Sequence, residues 1–187
     1  MVKENINKRA RLAQAAVKMA HRHGFSNTSL ADIAKEAKVP LGNVYYYFKT
    51  KEELGDAIIQ ERLTQISAAS AHWDQIDSPQ ERLCACIDAV LEEKDNVARD
   101  GCPLGTLSCE LRKERGALGT KATRIFATYL DWLEAQFRLL GKKSDARALA
   151  VHLLSALQGA SLLAHSLRDP SIVATETKRL KGWIRSL

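Results

Sequence analysis

Proline and glycine are scarce in this sequence of 187 residues, which holds four prolines and ten glycines. Both disfavour helix interiors, so their scarcity beside plentiful Ala, Leu, Glu, Lys and Arg predicts helices. No stretch alternates apolar and polar residues convincingly, which argues against a sheet. No run approaches the roughly 20 apolar residues of a membrane-spanning helix, and the first five residues are too polar to begin a secretory signal peptide. The sequence predicts an all-α protein of the cytoplasm that does not enter a membrane.

Cysteine is also scarce, and its spacing does not match the common metal sites. The four cysteines are Cys84, Cys86, Cys102 and Cys109. There is no CxxC pair and no HExxH motif, and the five histidines form no ligand array with the cysteines. In a reducing compartment these cysteines are expected to be thiols. We expect no metal site and no cofactor.

The net charge of +6 is concentrated at one end of the chain. Residues 1–51 contain ten lysines and arginines but only three acidic residues, whereas the remainder carries a net charge of −1. A basic head on a nearly neutral body predicts a polyanionic partner. Charge alone does not distinguish DNA from RNA or from an acidic membrane.

The basic head has the pattern of two short helices joined by a tight turn and preceded by a basic first helix. The first helix is predicted to end at Gly24, as at a C-cap glycine. Ser29-x-x-Asp32 has the spacing of a capping box and begins the second helix. Pro40 fits the first position of the third, because its missing N–H is not needed there. This pattern is typical of a helix-turn-helix, at about residues 29–48, whose last helix enters the major groove.

The third helix carries residues suited to DNA contact. Gly42 lacks a Cβ and permits close approach of the backbone, and Asn43 can donate and accept at a base edge. Three consecutive tyrosines, 45–47, exceed what a short helix can bury, and their hydroxyl groups can donate to phosphates. Val44 and Phe48, four residues apart, are predicted core. Two readings stay open, because either Tyr45 or Tyr47 can be partly buried and the lysines of the second helix can be merely solvated.

Two segments resemble the signatures of the TetR family of regulators. Residues 24–34 are similar to its second helix, and residues 39–54 are similar to its recognition helix and the start of its fourth helix. The similarity covers about 60 N-terminal residues. It implies a helix-turn-helix DNA-binding domain over 6–66 and an effector-binding and dimerisation domain over 67–187.

The resemblance implies a repressor that binds a palindromic double-stranded DNA operator as a homodimer, associated with the nucleoid. Release would follow binding of a small-molecule or thiol-reactive effector. The DNA-binding residues that it implies are Thr28, Ser29, Leu41, Gly42, Asn43, Tyr45, Tyr46, Tyr47 and Lys51. Leu41 stands where family members often carry lysine or arginine, which favours apolar contact with a thymine methyl over a guanine contact.

Helical patterns continue through the body. We predict helices from Lys51 toward Ile76, from Ser78-Pro79 to a break at Gly101, from Cys102-Pro103 to near Gly116, over 120–140, over 144–168 and over 171–187. The resemblance implies that the last two form the dimer interface. Small residues at 156 and 159–161 would let a partner helix approach closely. The alternative is a helix buried entirely within the monomer.

The effector site is expected among the middle helices. Its candidate residues are Cys102, Cys109, Phe126, Tyr129 and Trp132. Pro103 at the first helical position would make Cys102 an N-cap, where the helix dipole favours a thiolate. Cys102 is therefore either a reactive sensor thiol, as in the electrophile- and oxidant-responsive regulators that residues 101–105 resemble, or an inert buried cysteine.

Other function classes fit the sequence less well. An enzyme would pair Cys102 with His152 or His165, but no spacing supports that geometry and the basic head would have no purpose. A nonspecific architectural DNA-binding protein would not need a ligand domain. An activator would use the same DNA-binding module as a repressor, and the sequence does not separate the two.

Overall fold

The computed structural model describes residues 2–113 and 117–187, and the side chains from residue 8 onward within those ranges. The described residues form ten helices and no strand, which confirms the all-α prediction. The helices are α1 (Val2–His23), α2 (Leu30–Ala37), α3 (Leu41–Tyr47), α4 (Lys51–Trp73), α5 (Pro79–Glu92), α6 (Lys94–Asp100), α7 (Gly105–Lys113), α8 (Ala117–Leu139), α9 (Ala146–Leu167) and α10 (Ser171–Arg185).

The chain divides into two compact units. The head unit comprises Met1–Gln65 and Thr106–Ile125, and the body unit comprises Ile66–Gly105 and Phe126–Leu187. The head therefore includes most of α7 and the first part of α8 in addition to the predicted N-terminal segment. The predicted start of the first domain at Ile6 and the predicted helix end near Gly116 lie outside the residues whose side chains or placement are described.

The capping residues place the short helices of the head where the sequence predicts them. Ser29 caps α2 in a complete capping box, and its hydroxyl and backbone N–H, both donating to the carboxylate, lower the pKa of Asp32. At the other end of α2, Lys38 adopts a left-handed conformation with φ of 54°. Pro40 is the N-cap of α3 rather than its first helical residue, a shift of one position.

Two helix boundaries in the body differ from the predictions. The helix that begins at Pro79, after its cap Ser78, ends at Glu92, and a separate α6 covers Lys94–Asp100 before Gly101. Glu93 interrupts the helix with φ of −90° and ψ of 6°. No glycine or proline lies at this position to predict the bend. The predicted helix start at Cys102-Pro103 is also wrong, because Pro103 and Leu104 form a turn and α7 begins at Gly105.

The core of the head unit holds α3 against the preceding helices. Val44 and Phe48 are 0% and 1% exposed, as predicted, and Leu12, Ile33 and Ile58 of α1, α2 and α4 are fully buried as well. Burying a side chain of this size contributes about 1.5–3 kcal/mol. The inner face of α3 is therefore fixed, and its remaining residues are left at the surface.

Helix α9 is more apolar than the sequence analysis predicts. It is 22 residues long with a mean hydropathy of 1.3 in its most apolar window, so by length and composition alone it is able to cross a membrane. Only 39% of that window is buried within the chain. The expectation that no segment approaches a membrane-spanning length therefore needs correction for this helix.

Candidate nucleic-acid interface and effector cavity

Helix α3 presents a continuous exposed face. Leu41, Tyr45 and Tyr46 are 41%, 54% and 72% exposed. Gly42 is exposed as well, and a Cβ built on it would meet no atom within 4 Å. Asn43 is half-buried on the same helix. Large apolar and aromatic side chains left in water around an unobstructed glycine are typical of a surface that awaits a partner.

The rings of two of the three tyrosines are in contact with each other. The rings of Tyr46 and Tyr47 meet edge to face with their centroids 5.1 Å apart, and Tyr47 is half-buried. This resolves the open question about the tyrosines, because Tyr47 is the partly buried one and Tyr45 is not.

The two residues before α2 have structural roles in addition to any contact with DNA. Thr28 is only 5% exposed, and its hydroxyl donates to the Gly24 carbonyl oxygen at 2.7 Å. A phosphate contact through this hydroxyl would require that bond to break, so the structure does not favour the predicted role of its side chain. Ser29 is exposed, but its hydroxyl is engaged with Asp32 in the capping box.

Lys51 lies at the start of α4 on the head surface. Its Nζ donates to the Ser26 carbonyl oxygen at 2.7 Å and lies 5.0 Å from the centroid of the Phe25 ring. The side chain is exposed, so one ammonium group joins the connection between α1 and α2 to the N-terminus of α4. A lysine at the first residue of α4 adds its charge to the positive end of the helix dipole, where an anion is favoured.

A carboxylate that the sequence reading missed fixes the connection between α1 and α2. Glu110 of α7 accepts hydrogen bonds from the backbone N–H groups of Phe25 at 2.7 Å and Ser26 at 3.2 Å. Gly24 adopts φ of +84°, and a Cβ there would lie 2.8 Å from the Glu110 carboxylate. Glu110 is 85 residues from Phe25 along the chain, so no local sequence pattern predicts this contact. Only the tertiary fold brings the two residues together.

The body unit contains a small cavity. Its volume is about 130 Å³, and its walls are mostly apolar. The residues that line it are Cys86, Ala89, Val90, Glu93, Val97, Cys102, Pro103, Leu104, Tyr129, Leu154, Leu157, Gln158 and Ser161. Two of the predicted effector residues, Cys102 and Tyr129, are therefore brought together with a second cysteine.

The sulfur of Cys102 accepts hydrogen bonds from two N–H groups. Gln158 Nε2 donates at 3.3 Å and the Gly105 backbone N–H at 3.4 Å. Cys102 is half-buried and thus partly accessible. Cys102 is not the residue directly before the helix, as the sequence predicts, because α7 begins at Gly105. Its sulfur nevertheless accepts a hydrogen bond from the Gly105 N–H, the first amide of α7.

Cys86 differs from Cys102 in its chemistry. It is fully buried, and its Sγ lies 2.7 Å from Tyr129 Oη. Burial raises the pKa of Cys86 to about 12, and burial likewise raises the pKa of Tyr129 well above its ordinary value. Both groups are thus neutral at physiological pH.

The other predicted effector residues lie elsewhere. Phe126 is half-buried and is not among the residues that line the cavity. Trp132 packs against Trp73 at 5.1 Å between ring centroids and donates to Asp74 Oδ1 at 3.1 Å, so it belongs to a separate cluster. Cys109 is exposed on the part of α7 that belongs to the head unit.

The last two helices leave an apolar face uncovered. Val151, Leu162, Leu163 and Leu167 of α9 are each between 44% and 66% exposed. A shallow groove of about 360 Å³ follows α9 and α10, with Ala156, Ala160, Leu163 and Ile172 among its lining residues. Gly159 is exposed on the same helix, with no atom within 4 Å of a Cβ built there.

Comparisons with known proteins agree with this organisation. Residues 12–58 match the sequence family described as bacterial regulatory proteins of the tetR family. Residues 79–176, more than half of the chain, match the C-terminal domain described as transcriptional regulator LmrA/YxaF-like.

Curated relatives are regulators by name. The HTH-type transcriptional repressor DhaR of Mycobacterium sp. (strain GP1) is 28% identical over 124 residues, which are 65% of this chain and 61% of the relative. TtgR of Pseudomonas putida is 28% identical over 118 residues, 57% of this chain and 56% of the relative. The chain thus spans less than two thirds of the length of these two relatives. An uncharacterised HTH-type regulator of Lactococcus lactis is 25% identical and aligns over 94% of this chain and 92% of its own length.

Solved structures share the fold along nearly the whole chain. A TetR transcriptional regulator from Legionella pneumophila superposes with a TM-score of 0.80 at 22% identity and covers 94% of both chains. A regulator from Agrobacterium tumefaciens gives a TM-score of 0.82 at 21% identity and covers 95% of this chain and 97% of its own. A helical head and a helical body are the common architecture.

Proposed function

The chain belongs to the TetR family of bacterial regulatory proteins, and from that premise we propose that it represses transcription by binding a palindromic operator as a homodimer. Regulators make up this family, which agrees with the prediction of a regulator rather than an enzyme. Such a regulator is a soluble cytoplasmic protein, and association with the nucleoid would follow from DNA binding.

The observation that carries the DNA-binding proposal is the exposed face of α3. Leu41, Tyr45 and Tyr46 surround an unobstructed Gly42 on a helix whose opposite face is locked into the core. A helix held in this way by its inner face can enter the major groove with its outer face leading. The tyrosine hydroxyls suit phosphates, and Leu41 suits a thymine methyl.

The dimer proposal is supported by the uncovered apolar face of α9. Four large apolar side chains in water beside an exposed glycine need a partner surface. A twofold axis along α9 and α10 would supply a second copy of the same face and provide two heads for the two half-sites. The high hydropathy of α9 then reflects an interface, and a membrane is not needed to explain it.

The effector proposal is that a thiol-reactive or other small molecule enters the body cavity, reacts with or contacts Cys102 and releases the operator. It is supported by the partly accessible sulfur and by the two N–H donors that point at it. Hydrogen bonds from Gln158 and Gly105 hold the sulfur at the cavity wall, where an entering molecule can meet it.

The first experiment is selection of bound DNA from a random pool, followed by gel shifts with the selected sequence. We expect a palindrome, and we expect Tyr46→Ala to weaken binding about tenfold per half-site, which is about 100-fold for the dimer, because a charge-assisted phosphate bond contributes about 1.5 kcal/mol. Leu139→Ala, at an exposed position of α8, is the matched control and should bind normally. Binding without sequence preference would support an architectural protein instead.

Repression and release have separate tests. A reporter gene placed behind the selected operator should fall in expression when the protein is present, and a rise would identify an activator. Cys102→Ser should bind the operator normally but resist release by a quinone, whereas equal release of both proteins would exclude Cys102 as the sensor.

A further inference from the structure

We propose that Glu176 and Arg179 of α10 form two symmetric ion pairs across the dimer interface, and that these pairs decide which chain this protein accepts as its partner. The inference rests on the proposed function, in which the chain is a homodimer through α9 and α10. It names the two residues that select a second copy of this chain and that fix where the twofold axis crosses α10.

The groove along α9 and α10 is lined by two charged residues, and they have opposite signs. Its lining residues are Ala156, Ala160, Leu163, Ser171, Ile172, Thr175, Glu176 and Arg179. Glu176 and Arg179 are three residues apart on α10, so their side chains lie on the same face of the helix. An acid and a base are therefore neighbours on a surface whose other side chains are uncharged.

The charges of the groove differ from a cation of α10 that is already paired within the chain. Lys181 Nζ donates to both carboxylate oxygens of Asp88 on α5, at 2.6 and 2.9 Å. Among the residues that the structure describes, neither Glu176 nor Arg179 has an ion pair or a side-chain hydrogen bond. Both charges are therefore available to a partner that covers the groove.

Helix α9 does not supply charges of its own to this face. From Ala148 to its last residue, Leu167, it contains no lysine, arginine, aspartate or glutamate. In an interface with twofold symmetry the same patch of both copies meets itself. The charges that a second copy brings to the groove are therefore again Glu176 and Arg179.

Twofold symmetry then determines how these charges meet. If residue i of one copy contacts residue j of the other, residue j of the first also contacts residue i of the second. Glu176 opposite Arg179 of the other copy therefore gives two ion pairs, whereas Glu176 opposite Glu176 would place like charges together at a cost in affinity. The favourable arrangement puts the twofold axis against α10 between these two residues.

The ion pairs contribute choice of partner more than contact area. The exposed apolar residues of α9 supply the area. Covering the groove would remove both charges from water, where a charge without a partner lowers affinity. Two copies of this chain satisfy all four charges, but a chain whose last helix lacks this order of charges would leave some unpaired, so the pairs discriminate against it.

The test exchanges the charges one at a time and then together. Glu176→Arg and Arg179→Glu each turn two attractive contacts into two repulsive ones, and we expect each to raise the dimer dissociation constant at least about 30-fold. The double variant with both substitutions restores the pairs in reverse order and should dimerise within about threefold of the wild type. Light scattering coupled to size-exclusion chromatography measures the molar mass of the full chain across a concentration series.

An equimolar mixture of the two single variants provides a second readout. One chain then has arginine at both positions and the other has glutamate at both, so the mixture should form heterodimers well above the share of a random mixture. Native mass spectrometry counts the heterodimers, with a purification tag on one variant to separate the masses. Because heterodimers form only from folded chains, their appearance excludes misfolding as the cause of the loss in the single variants.

The matched control is Lys178→Glu, which reverses a charge on the same helix. Lys178 is exposed and does not line the groove. Its substitution should leave the dimer dissociation constant within about threefold of the wild type, because an exposed charge contributes little. A loss as large as that of Arg179→Glu would show that net charge, and not pairing in the groove, controls dimerisation.

Failure of this inference is distinguishable from failure of the proposed function. A wild-type protein that is monomeric at every concentration would overturn the homodimer, and the ion pairs with it. A dimeric wild type whose single variants dimerise normally would overturn the ion pairs and keep the homodimer. If the single variants dissociate and neither the double variant nor the mixture restores association, Glu176 and Arg179 do not pair with each other, and the inference is refuted.

Discussion

Gly42 lies at the centre of the proposed DNA-binding face, and the free protein has no need of a glycine there. Nothing lies within 4 Å of a Cβ at this position. Gly42→Ala should therefore raise the free energy of unfolding by up to about 1 kcal/mol, because alanine is the better helix former. The same methyl should lower operator affinity about tenfold if the backbone approaches the bases closely. Thermal unfolding and fluorescence anisotropy measure the two effects.

The control for this prediction is Ser67→Ala at an exposed position of α4, which also replaces a poorer helix former by alanine. It should stabilise the protein without changing operator affinity. A Gly42→Ala protein that binds DNA as tightly as the wild type would show that the glycine does not face the DNA.

Substitution of Glu110 should lower the stability of the head, although Glu110 is not among the proposed DNA-binding residues. Glu110→Gln keeps the shape but leaves one oxygen to accept from the N–H groups of Phe25 and Ser26, and its own NH₂ group cannot accept. We expect a loss of about 1–2 kcal/mol in the stability of the head and faster hydrogen exchange at these two amides.

The matched control is Glu92→Gln, which removes the same charge at an exposed end of α5. Hydrogen exchange measured by NMR compares the two proteins. Unchanged protection of Phe25 and Ser26 in Glu110→Gln would mean that the carboxylate does not stabilise this connection.

At the scale of single residues, local pattern predicts roles well and tertiary contacts poorly. Burial of Val44 and Phe48 follows from helical spacing alone, and it is confirmed. The hydroxyl bond of Thr28 to Gly24 and the contacts of Glu110 and Gln158 depend on how distant segments meet. No window of a few residues contains that information.

Among the helices, capped boundaries were predicted more accurately than uncapped ones. Ser29 and Ser78 each announce a helix start through a side chain that satisfies a free amide, and both starts are confirmed. The chain bends at Glu93 between α5 and α6, where no side chain caps the start of α6. The sequence pattern therefore predicts one continuous helix in place of two. Cys102-Pro103 mimics a cap signal, but the turn at Pro103 and Leu104 delays the helix to Gly105.

A charge placed on the exposed apolar face of α9 should weaken the proposed dimer. Leu163 is 52% exposed and lines the groove along α9 and α10. Leu163→Glu would bury a carboxylate in the proposed interface, and we expect the dimer dissociation constant to rise at least 30-fold, since loss of an interface anchor costs about 2 kcal/mol or more. Light scattering coupled to size-exclusion chromatography measures the molar mass across a concentration series.

The control for α9 is Leu139→Glu on α8, which places the same charge at a residue that is 62% exposed. It should leave the dimer intact. If both variants remain dimeric at all concentrations, the interface does not include this face of α9.

For the whole molecule, the decisive property is the uneven charge, with ten basic and three acidic residues in positions 1–51 against a net charge of −1 elsewhere. A dimer presents two such heads to one duplex, and each phosphate that it neutralises releases counterions. Affinity for any DNA should therefore fall steeply with salt, by about 10³-fold between 50 and 200 mM if about six phosphates are contacted.

The preference for the operator over other DNA should persist at high salt, although the affinity for both falls. We expect the selected palindrome to bind at least about 10³-fold more tightly than its scrambled form at the same salt concentration, because base contacts by α3 add to a shared phosphate term. Lys49→Gln, at an exposed position beside α3, should weaken both DNAs alike and lower the salt slope by about one per head. Anisotropy titrations with both DNAs across a salt series measure these quantities. Equal affinity for the palindrome and the scrambled DNA at every salt concentration would identify a basic architectural protein, in which the charge of the head binds DNA and the face of α3 reads no sequence.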